Sequence, residues 1–508
     1  MKKRLAKIFA APWYFAAFAI YPPLALIAYN SAEMRPAEGM RALLLSLLAA
    51  LVLFGLLRLA FGSKQRAALT VSLWLLLFYS YGHACNLVSK QWDVPHLAAW
   101  MGGLWLVLAG AATGWLARRR TRVRKAAPAL NLVALGLVVT SAAQVIIWTA
   151  PYSGSVADDH ADVQTLTVPA GETPPDIYYI IVDSYGRSDL LQRSFKIDNT
   201  EFIQNLEEMG FYVAECSQSN YNRTEVSLAS SLNMDYLQNL DDAYQPPSIG
   251  RGRLWDSISH SAVRADLEGA GYKTVAFATG FPWTEITDAD AFLAPSPLWS
   301  QMTSFETLLL RTTPLRHLED TGSINLDEID GQRFRQRTEL IFDNMDDLAQ
   351  MPGPKFVFIH ILPPHPPFVY APDGSWTDPA AFLNDDRLYT GASYTKGYRN
   401  QVAYINGQLE AALQTLLDES PTPPVIIVQG DHGPWLQNGS GKFMILNAYH
   451  LPGHNDLLYP AISPVNTFRL VLDTYLGGDY PLLDDISYYS PTPDIYNFSL
   501  VPNPCLDR

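Results

Sequence analysis

The stretch Val425-Ile-Ile-Val-Gln-Gly-Asp-His-Gly-Pro434 decides how the second half of the chain folds. A turn-like Ser420-Pro-Thr-Pro-Pro424 leads into it. Residues 425–428 are too few and too β-branched for a helix, and read as a strand buried on both faces in a parallel sheet. The apolar run then gives way to Gly430, Asp431, His432 and Gly433. In open α/β sheets, ligands bind just beyond the carboxyl ends of strands. Asp and His side by side at such an end offer an oxygen and an imidazole nitrogen to one cation. They would equally suit a strand-to-helix turn with an incidental His, so the rest of the chain has to weigh in.

From Asp176 onward, strand-like runs alternate with amphipathic ones. Strands are expected at 177–182, 212–214, 274–278, 356–361, 425–428 and 443–446, and helices at 200–209, 257–270, 332–348 and 397–418. This alternation predicts a mostly parallel α/β sheet with helices on both faces. Two further strands end on reactive residues: 177–182 runs into Asp183-Ser-Tyr-Gly186, and 356–361 into Leu362-Pro-Pro-His-Pro-Pro-Phe368. If the strands are parallel, Asp183, His365 and the Asp431-His432 pair meet at one sheet edge. His360, inside its strand, reads as a buried, hydrogen-bonded core histidine rather than a ligand.

The first 150 residues are of another kind. Apolar runs at 9–29, 43–61, 67–88, 97–116 and 129–150 are each about 20 residues long, enough to cross a ~30 Å hydrocarbon core as a helix. Basic residues crowd the amino terminus (Lys2, Lys3, Arg4, Lys7), Lys64 and Arg66, and the run Arg118 to Lys125. The positive-inside rule then places the amino terminus in the cytoplasm, and five crossings put everything after Ala150 outside. Of 36 Lys/Arg and 50 Asp/Glu in the chain, residues 1–126 hold 16 and 3. The acidic remainder is a poor match for nucleic acid. The spans contain few ionisable residues beyond Arg58 and His83, which argues against a transport path. The expected layout is a five-helix transmembrane region (1–150), a Pro/Gly-rich linker (151–175), an α/β outer domain (176–475) and a tail wrapping it (476–508). Cys216 and Cys505 both fall on the oxidising side, where they can pair or stay as buried thiols.

A metal site needs a reacting group. Ser217-Gln-Ser-Asn-Tyr-Asn-Arg-Thr224 is a polar loop leading into a helix-like run from Glu225. Thr224 fits an ordinary helix N-cap. It equally fits a hydroxyl nucleophile, because helix N-terminal amides hold tetrahedral anion oxygens and a nearby cation lowers the hydroxyl pKa.

Taken in order, Asp183, Thr224, His365-Pro-Pro-Phe368 and Gly430-Asp-His-Gly433 resemble the sulfatase-like branch of the alkaline phosphatase superfamily. With a five-span amino terminus, the chain resembles the lipoteichoic acid synthase and phosphoethanolamine transferase type of membrane protein. The resemblance implies one divalent metal ion held by Asp183, Thr224, Asp431 and His432. Zn suits the Asp-His mix and Mn or Mg the oxygens. It implies His365 on the transferred group and a further histidine at His454 or His450. Arg223, beside Thr224, suits an anion contact and equally an ordinary surface position. Two departures matter: Asp183 stands where the headgroup transferases usually carry Glu, and Cys216-Ser-Gln-Ser-Asn220 lacks the Pro and Arg of a formylglycine sulfatase. Asp256-Ser-Ile-Ser-His260 has the spacing of a second-metal motif but lies far upstream, and reads as coincidence.

The expectation is a multi-pass enzyme of the cytoplasmic (inner) membrane with a periplasmic catalytic domain. It would pass a phospho-group from a lipid headgroup phosphodiester, through a covalent Thr224 intermediate, to an envelope acceptor such as a glycan. The rival readings are a sulfate or phosphate ester hydrolase using the same site, and a non-catalytic binding domain.

Overall fold

The structure is a computed structural model. It describes residues 10–505 apart from 32–33, 93, 95, 119–125, 150–165, 169–170, 172, 249, 296–301 and 385–386. The expected linker and the basic run after Arg118 lie largely outside the described residues. The chain divides into two compact units, residues 1–150 with 299–330, and 151–298 with 331–508.

Among the described residues of the first unit, four helices are long and apolar enough to cross a membrane: Pro36–Phe61, Lys64–Ser89, Leu97–Arg118 and Ala127–Trp148. The first apolar run yields a shorter helix, Tyr14–Tyr29, of 16 residues with Pro22 and Pro23 inside it. At 1.5 Å per residue it spans about 24 Å. Residues 299–330 fall within the range expected to be α/β domain, yet they pack here. Phe305 is buried with Ile27, Met34 and Ala42, Arg41 Nε donates to Glu306 at 2.6 Å, and the Gly82 amide donates to Thr312 O at 2.9 Å. Any Cβ at Gly82 would lie 2.0 Å from Arg311 O, so only glycine allows that approach.

The second unit is built on a seven-stranded sheet in the order β2-β7-β6-β1-β5-β3-β4. The strands are β1 (Ile177–Val182), β2 (Tyr212–Val213), β3 (Lys273–Phe277), β4 (Ala291–Leu293), β5 (Lys355–Ile361), β6 (Val425–Gly430) and β7 (Asn447–His450). β1 lies between β5 and β6, parallel to both, with Val182 level with Ile361 and Gly430. β3 and β4 continue the parallel set. β7 runs antiparallel to β6.

Successive side chains of β1 enter different cores. Ile177, Tyr179 and Ile181 join one, under the helices Thr224–Leu232 and Pro464–Leu476. Tyr178, Ile180 and Val182 join the other, under the helix Gly391–Glu419. Burial on both faces is why β1, β5 and β6 are almost continuously apolar.

The expected strand at 443–446 is corrected to Asn447–His450. Phe443, Met444, Ile445 and Leu446 are apolar because they are buried. Their backbone crosses the ends of β1 and β6 with scattered bonds, Leu446 N to Tyr185 O and Gly430 N to Leu446 O, and forms no ladder. The expected helix 257–270 is two, Gly252–Ser259 and Ala262–Gly269. The tail wraps the domain, forms the hairpin Ser487–Tyr489 with Ser499–Val501, and is joined to the body by a Cys216–Cys505 disulfide.

Candidate active site

The carboxyl ends of β1, β5 and β6 lie level in the sheet and deliver Asp183, the 362–368 loop and Asp431-His432 to one edge. The turn after β1 is strained. Ser184 has φ +61°, the left-handed region that a side chain disfavours. In that conformation its amide donates to Asp431 Oδ1 at 2.9 Å, its hydroxyl donates to Asp183 Oδ1 at 3.0 Å, and Tyr398 OH holds its carbonyl at 2.9 Å.

Asp431 is fully buried. Its Oδ1 accepts from the amides of Ser184 and His432, both at 2.9 Å, while its Oδ2 has no hydrogen bond. His432 Nδ1 donates to Gly433 O at 2.8 Å. That bond fixes the tautomer and leaves the Nε2 lone pair free. Nε2 stands 3.5 Å from Asp431 Oδ2, 3.9 Å from Asp183 Oδ1 and 3.4 Å from Thr224 Oγ1.

His360 is not the hydrogen-bonded core histidine that the sequence suggests. It is 1 % exposed, and among the described residues neither ring nitrogen has a hydrogen-bond partner. Its Nε2 lies 3.5 Å from Asp183 Oδ2. Ligand atoms of Asp183, His360 and Asp431 all fall within 4.8 Å of one another. Buried polar atoms left unpaired are costly, so a constellation of this kind calls for a missing partner. Two carboxylates and two imidazoles with free lone pairs suit a divalent cation. Burial alone would raise the Asp183 pKa, but His365, His360 and His432 hold its carboxyl well below the usual carboxylate range.

Thr224 is the first residue of the helix Thr224–Leu232, not its cap. Arg223, extended at φ −147° and ψ 144°, occupies the cap position, and its side chain caps no first-turn amide. The Thr224 hydroxyl is therefore free to face His432. His365 Nδ1 donates to Pro366 O at 2.6 Å, leaving Nε2 available. Arg223 donates to Thr492 Oγ1 at 2.5 Å and lies 3.7 Å from Glu225.

His454 is not brought to this edge. Asn447 pairs with Gln429 and His450 with Ile426, so β7 runs away from Asp431. His454 follows it, its ring packed against Tyr475 with centroids 5.4 Å apart. The cation that does approach is Lys442, unnoticed in the sequence. Gly433 is the reason: a Cβ there would sit 2.2 Å from Gly441 O, and its amide donates to Lys442 O at 2.6 Å. The Gly439–Lys442 turn docks on the Asp-His motif through that contact. The Lys442 ammonium has no hydrogen bond or ion pair among the described residues. Burial pushes its pKa down and Arg223 adds to this, while Asp431 and Asp183 oppose. The readable signal was a lone Lys in Gly439-Ser-Gly-Lys442, eleven residues after Asp431.

A family model described as Sulfatase matches residues 175–462, more than half of the chain. No curated protein sequence matches. Solved structures that are similar include an integral membrane lipooligosaccharide phosphoethanolamine transferase A from Neisseria meningitidis. It is 13% identical over 92% of this chain and 95% of that one, with a TM-score of 0.41. The C-terminal periplasmic domain of EcEptC from Escherichia coli, in complex with Zn, is 13% identical over 67% of this chain and 96% of that one, also at 0.41. A phosphonate monoester hydrolase of Agrobacterium radiobacter is 13% identical over 62% and 80%, at 0.39.

Proposed function

Because the chain belongs to the sulfatase family, an enzyme family of the alkaline phosphatase superfamily, we propose that it transfers a phospho-group from a lipid-headgroup phosphodiester to an envelope acceptor through a covalent Thr224 intermediate. The observation that carries this reading is the Thr224 hydroxyl standing 3.4 Å from the free Nε2 of His432, beside the orphaned atoms of His360 and Asp431. Asp183, Thr224, Asp431 and His432 would hold one divalent ion, with His360 as an added donor. Zn is the ion we favour for this donor set. When bound, it would neutralise charge on the anionic substrate and lower the pKa of a nearby hydroxyl.

The chain's own groups do the rest. Thr224 loses its hydroxyl proton to solvent and attacks phosphorus through Oγ, the P–O bond to the lipid alcohol breaks, and protonated His365 gives its Nε2 proton to the departing oxygen. Arg223, Lys442 and the first-turn amides of the helix hold the non-bridging oxygens. An acceptor hydroxyl then gives its proton to the now neutral His365 Nε2 and attacks phosphorus, and the P–O bond to Thr224 Oγ breaks. A lipid donor suits an enzyme tethered by membrane-length helices, since tethering raises effective concentration without new contacts. A cytoplasmic amino terminus and a periplasmic catalytic domain agree with the basic residues before Ala150 and with a disulfide, which belongs in an oxidising compartment. The same disulfide removes Cys216 as a formylglycine precursor.

Intact mass spectrometry of the full-length protein purified from its membrane tests the reading, with Thr224→Ala alongside. A phosphorus-containing adduct that maps to Thr224 and is absent from the variant is expected. An adduct on Ser217, Ser219 or Ser227 would overturn it. Release of the group to water with every alcohol offered would make the enzyme a hydrolase.

A further inference from the structure

The loop that presents Thr224 has almost no regular structure of its own. Between β2 and the helix Thr224–Leu232, residues 214–223 form only turns and isolated bridges. Residues 443–465 anchor its first half, with Ser219 N donating to Phe443 O and Ser217 Oγ to Ile462 O, and a second set of contacts, running up to Arg223, comes from the far end of the chain. Ser487 Oγ donates to Ser219 O at 2.8 Å, and the Tyr488 amide donates to Asn220 O at 2.8 Å. Asn220 Nδ2 donates to Ile486 O at 2.9 Å. Tyr221 stacks on Tyr488 with ring centroids 5.9 Å apart. Asn222, 8 % exposed, uses both ends of its amide on one strap residue: Oδ1 accepts from the Ser490 amide at 2.6 Å and Nδ2 donates to Ser490 O at 3.3 Å. Arg223 reaches Thr492. At the loop's other end Asn503 Nδ2 donates to Cys216 O at 2.9 Å, beside the Cys216–Cys505 disulfide. This strap lies wholly beyond residue 462, where the sulfatase match ends.

We propose that residues 486–505 form a strap that sets the position of the nucleophile, with Asn222 as the positioning residue that couples the strap to Thr224. The inference rests on Thr224 being the nucleophile. Asn222 lies two residues before Thr224, and its pair of hydrogen bonds with Ser490 fixes the backbone just ahead of the extended Arg223. A misplacement of about 1 Å at a reacting atom lowers a rate on the order of 100-fold. Packing alone would make the strap a stability element. A positioning role makes it act on the chemical step.

The test uses full-length protein in detergent micelles with bis(p-nitrophenyl) phosphate as probe. It compares wild type, Asn222→Leu, Asn222→Asp and Thr224→Ala for kcat, KM, metal content and amide hydrogen exchange across residues 217–226. Asn222→Leu removes both bonds to Ser490. Its kcat is expected to fall on the order of 10- to 100-fold, with KM and metal content little changed and exchange in the loop accelerated. Asn222→Asp keeps the acceptor for the Ser490 amide and is expected to recover most of the rate. An unchanged kcat in Asn222→Leu overturns the proposal, whether or not the loop exchanges faster. So does a kcat that falls only in step with metal content and thermal stability, with no recovery in Asn222→Asp. Full activity in Thr224→Ala would sink the nucleophile reading by itself, while loop exchange still reports whether the strap orders the loop.

Discussion

Replacing His360 with Leu should change stability in opposite directions with and without a bound cation. The imidazole is buried and neither nitrogen has a hydrogen bond. An unsatisfied buried polar group costs about 1–3 kcal/mol, and Leu is close to His in volume. The 3.5 Å contact with Asp183 offsets part of that cost, so metal-free His360→Leu should be more stable than wild type by about 1 kcal/mol, the low end of the range. With metal the sign reverses. A ligand present at about 1,000 times its Kd stabilises the folded state by about 4 kcal/mol, and removing a donor forfeits much of that. A change of 1 kcal/mol moves Tm by about 2–4 °C in domains of 150–250 residues. Thermal unfolding of full-length protein in EDTA and in excess zinc would then show His360→Leu above wild type in the first and below it in the second. An equal drop under both conditions would refute the reasoning and return His360 to the core.

Lys442→Met should lower kcat/KM by about 10- to 100-fold, since a hydrogen bond to a charged group is worth about 1.5–3 kcal/mol. Bound zinc, measured by elemental analysis, should not change; loss of metal in parallel would give Lys442 a structural role instead. His260 is paired with Asp256 at 2.8 Å and Asp288 at 3.1 Å. The Asp256 hydrogen bond is the largest influence and raises the His260 pKa against the pull of burial. A raised folded value stabilises fully below the unfolded value of about 6.5 and is lost as pH climbs through the folded value. The Tm advantage of wild type over His260→Gln should accordingly shrink as pH rises through that window, and a pH-independent difference would contradict the pairing. Residues 127–508 carry 47 acidic and 20 basic residues, so the domain repels diffusing anions. Raising salt from 10 to 150 mM shortens the screening length to about 8 Å. That should increase kcat/KM for a soluble anionic diester and leave a zwitterionic one nearly flat; the reverse order would argue for steering by the cations at the site.

That charge distribution also bears on the substrate. Lys442 places positive charge beside Asp431 and Asp183, with Arg223 near the lysine, in a domain that is strongly acidic overall. A free polyanion would meet repulsion long before it met the lysine. A headgroup with no net charge, delivered in the plane of the membrane, escapes that repulsion and still presents a phosphodiester to the site. We regard this as the physical reason to favour a membrane lipid over a dissolved ester as donor.

What could be read from the sequence, and what could not, follows from how each residue is positioned. β1, β5 and β6 are buried on both faces, so their composition marks them and their carboxyl ends are easy to find. Asp183, His365 and Asp431-His432 were legible because they stand at or just beyond those ends. β4 is three residues long and left no pattern to read. Residues 302–330 look like any amphipathic stretch of an α/β domain, and their place shows in contacts far apart in sequence: Phe305 with Ile27, Arg41 with Glu306, and the close approach at Gly82. His360 was misjudged because a strand interior says that a residue is buried and nothing about whether its nitrogens are paired. The downstream cation was misjudged for a different reason. Spacing along the chain does not register a reversal of direction, and β7 turns antiparallel just after the motif. His450 and His454 are therefore carried toward the far edge, while Lys442, set down before the reversal, stays beside the carboxylates. Residues that precede a change of strand direction keep the edge they start from; those that follow it do not.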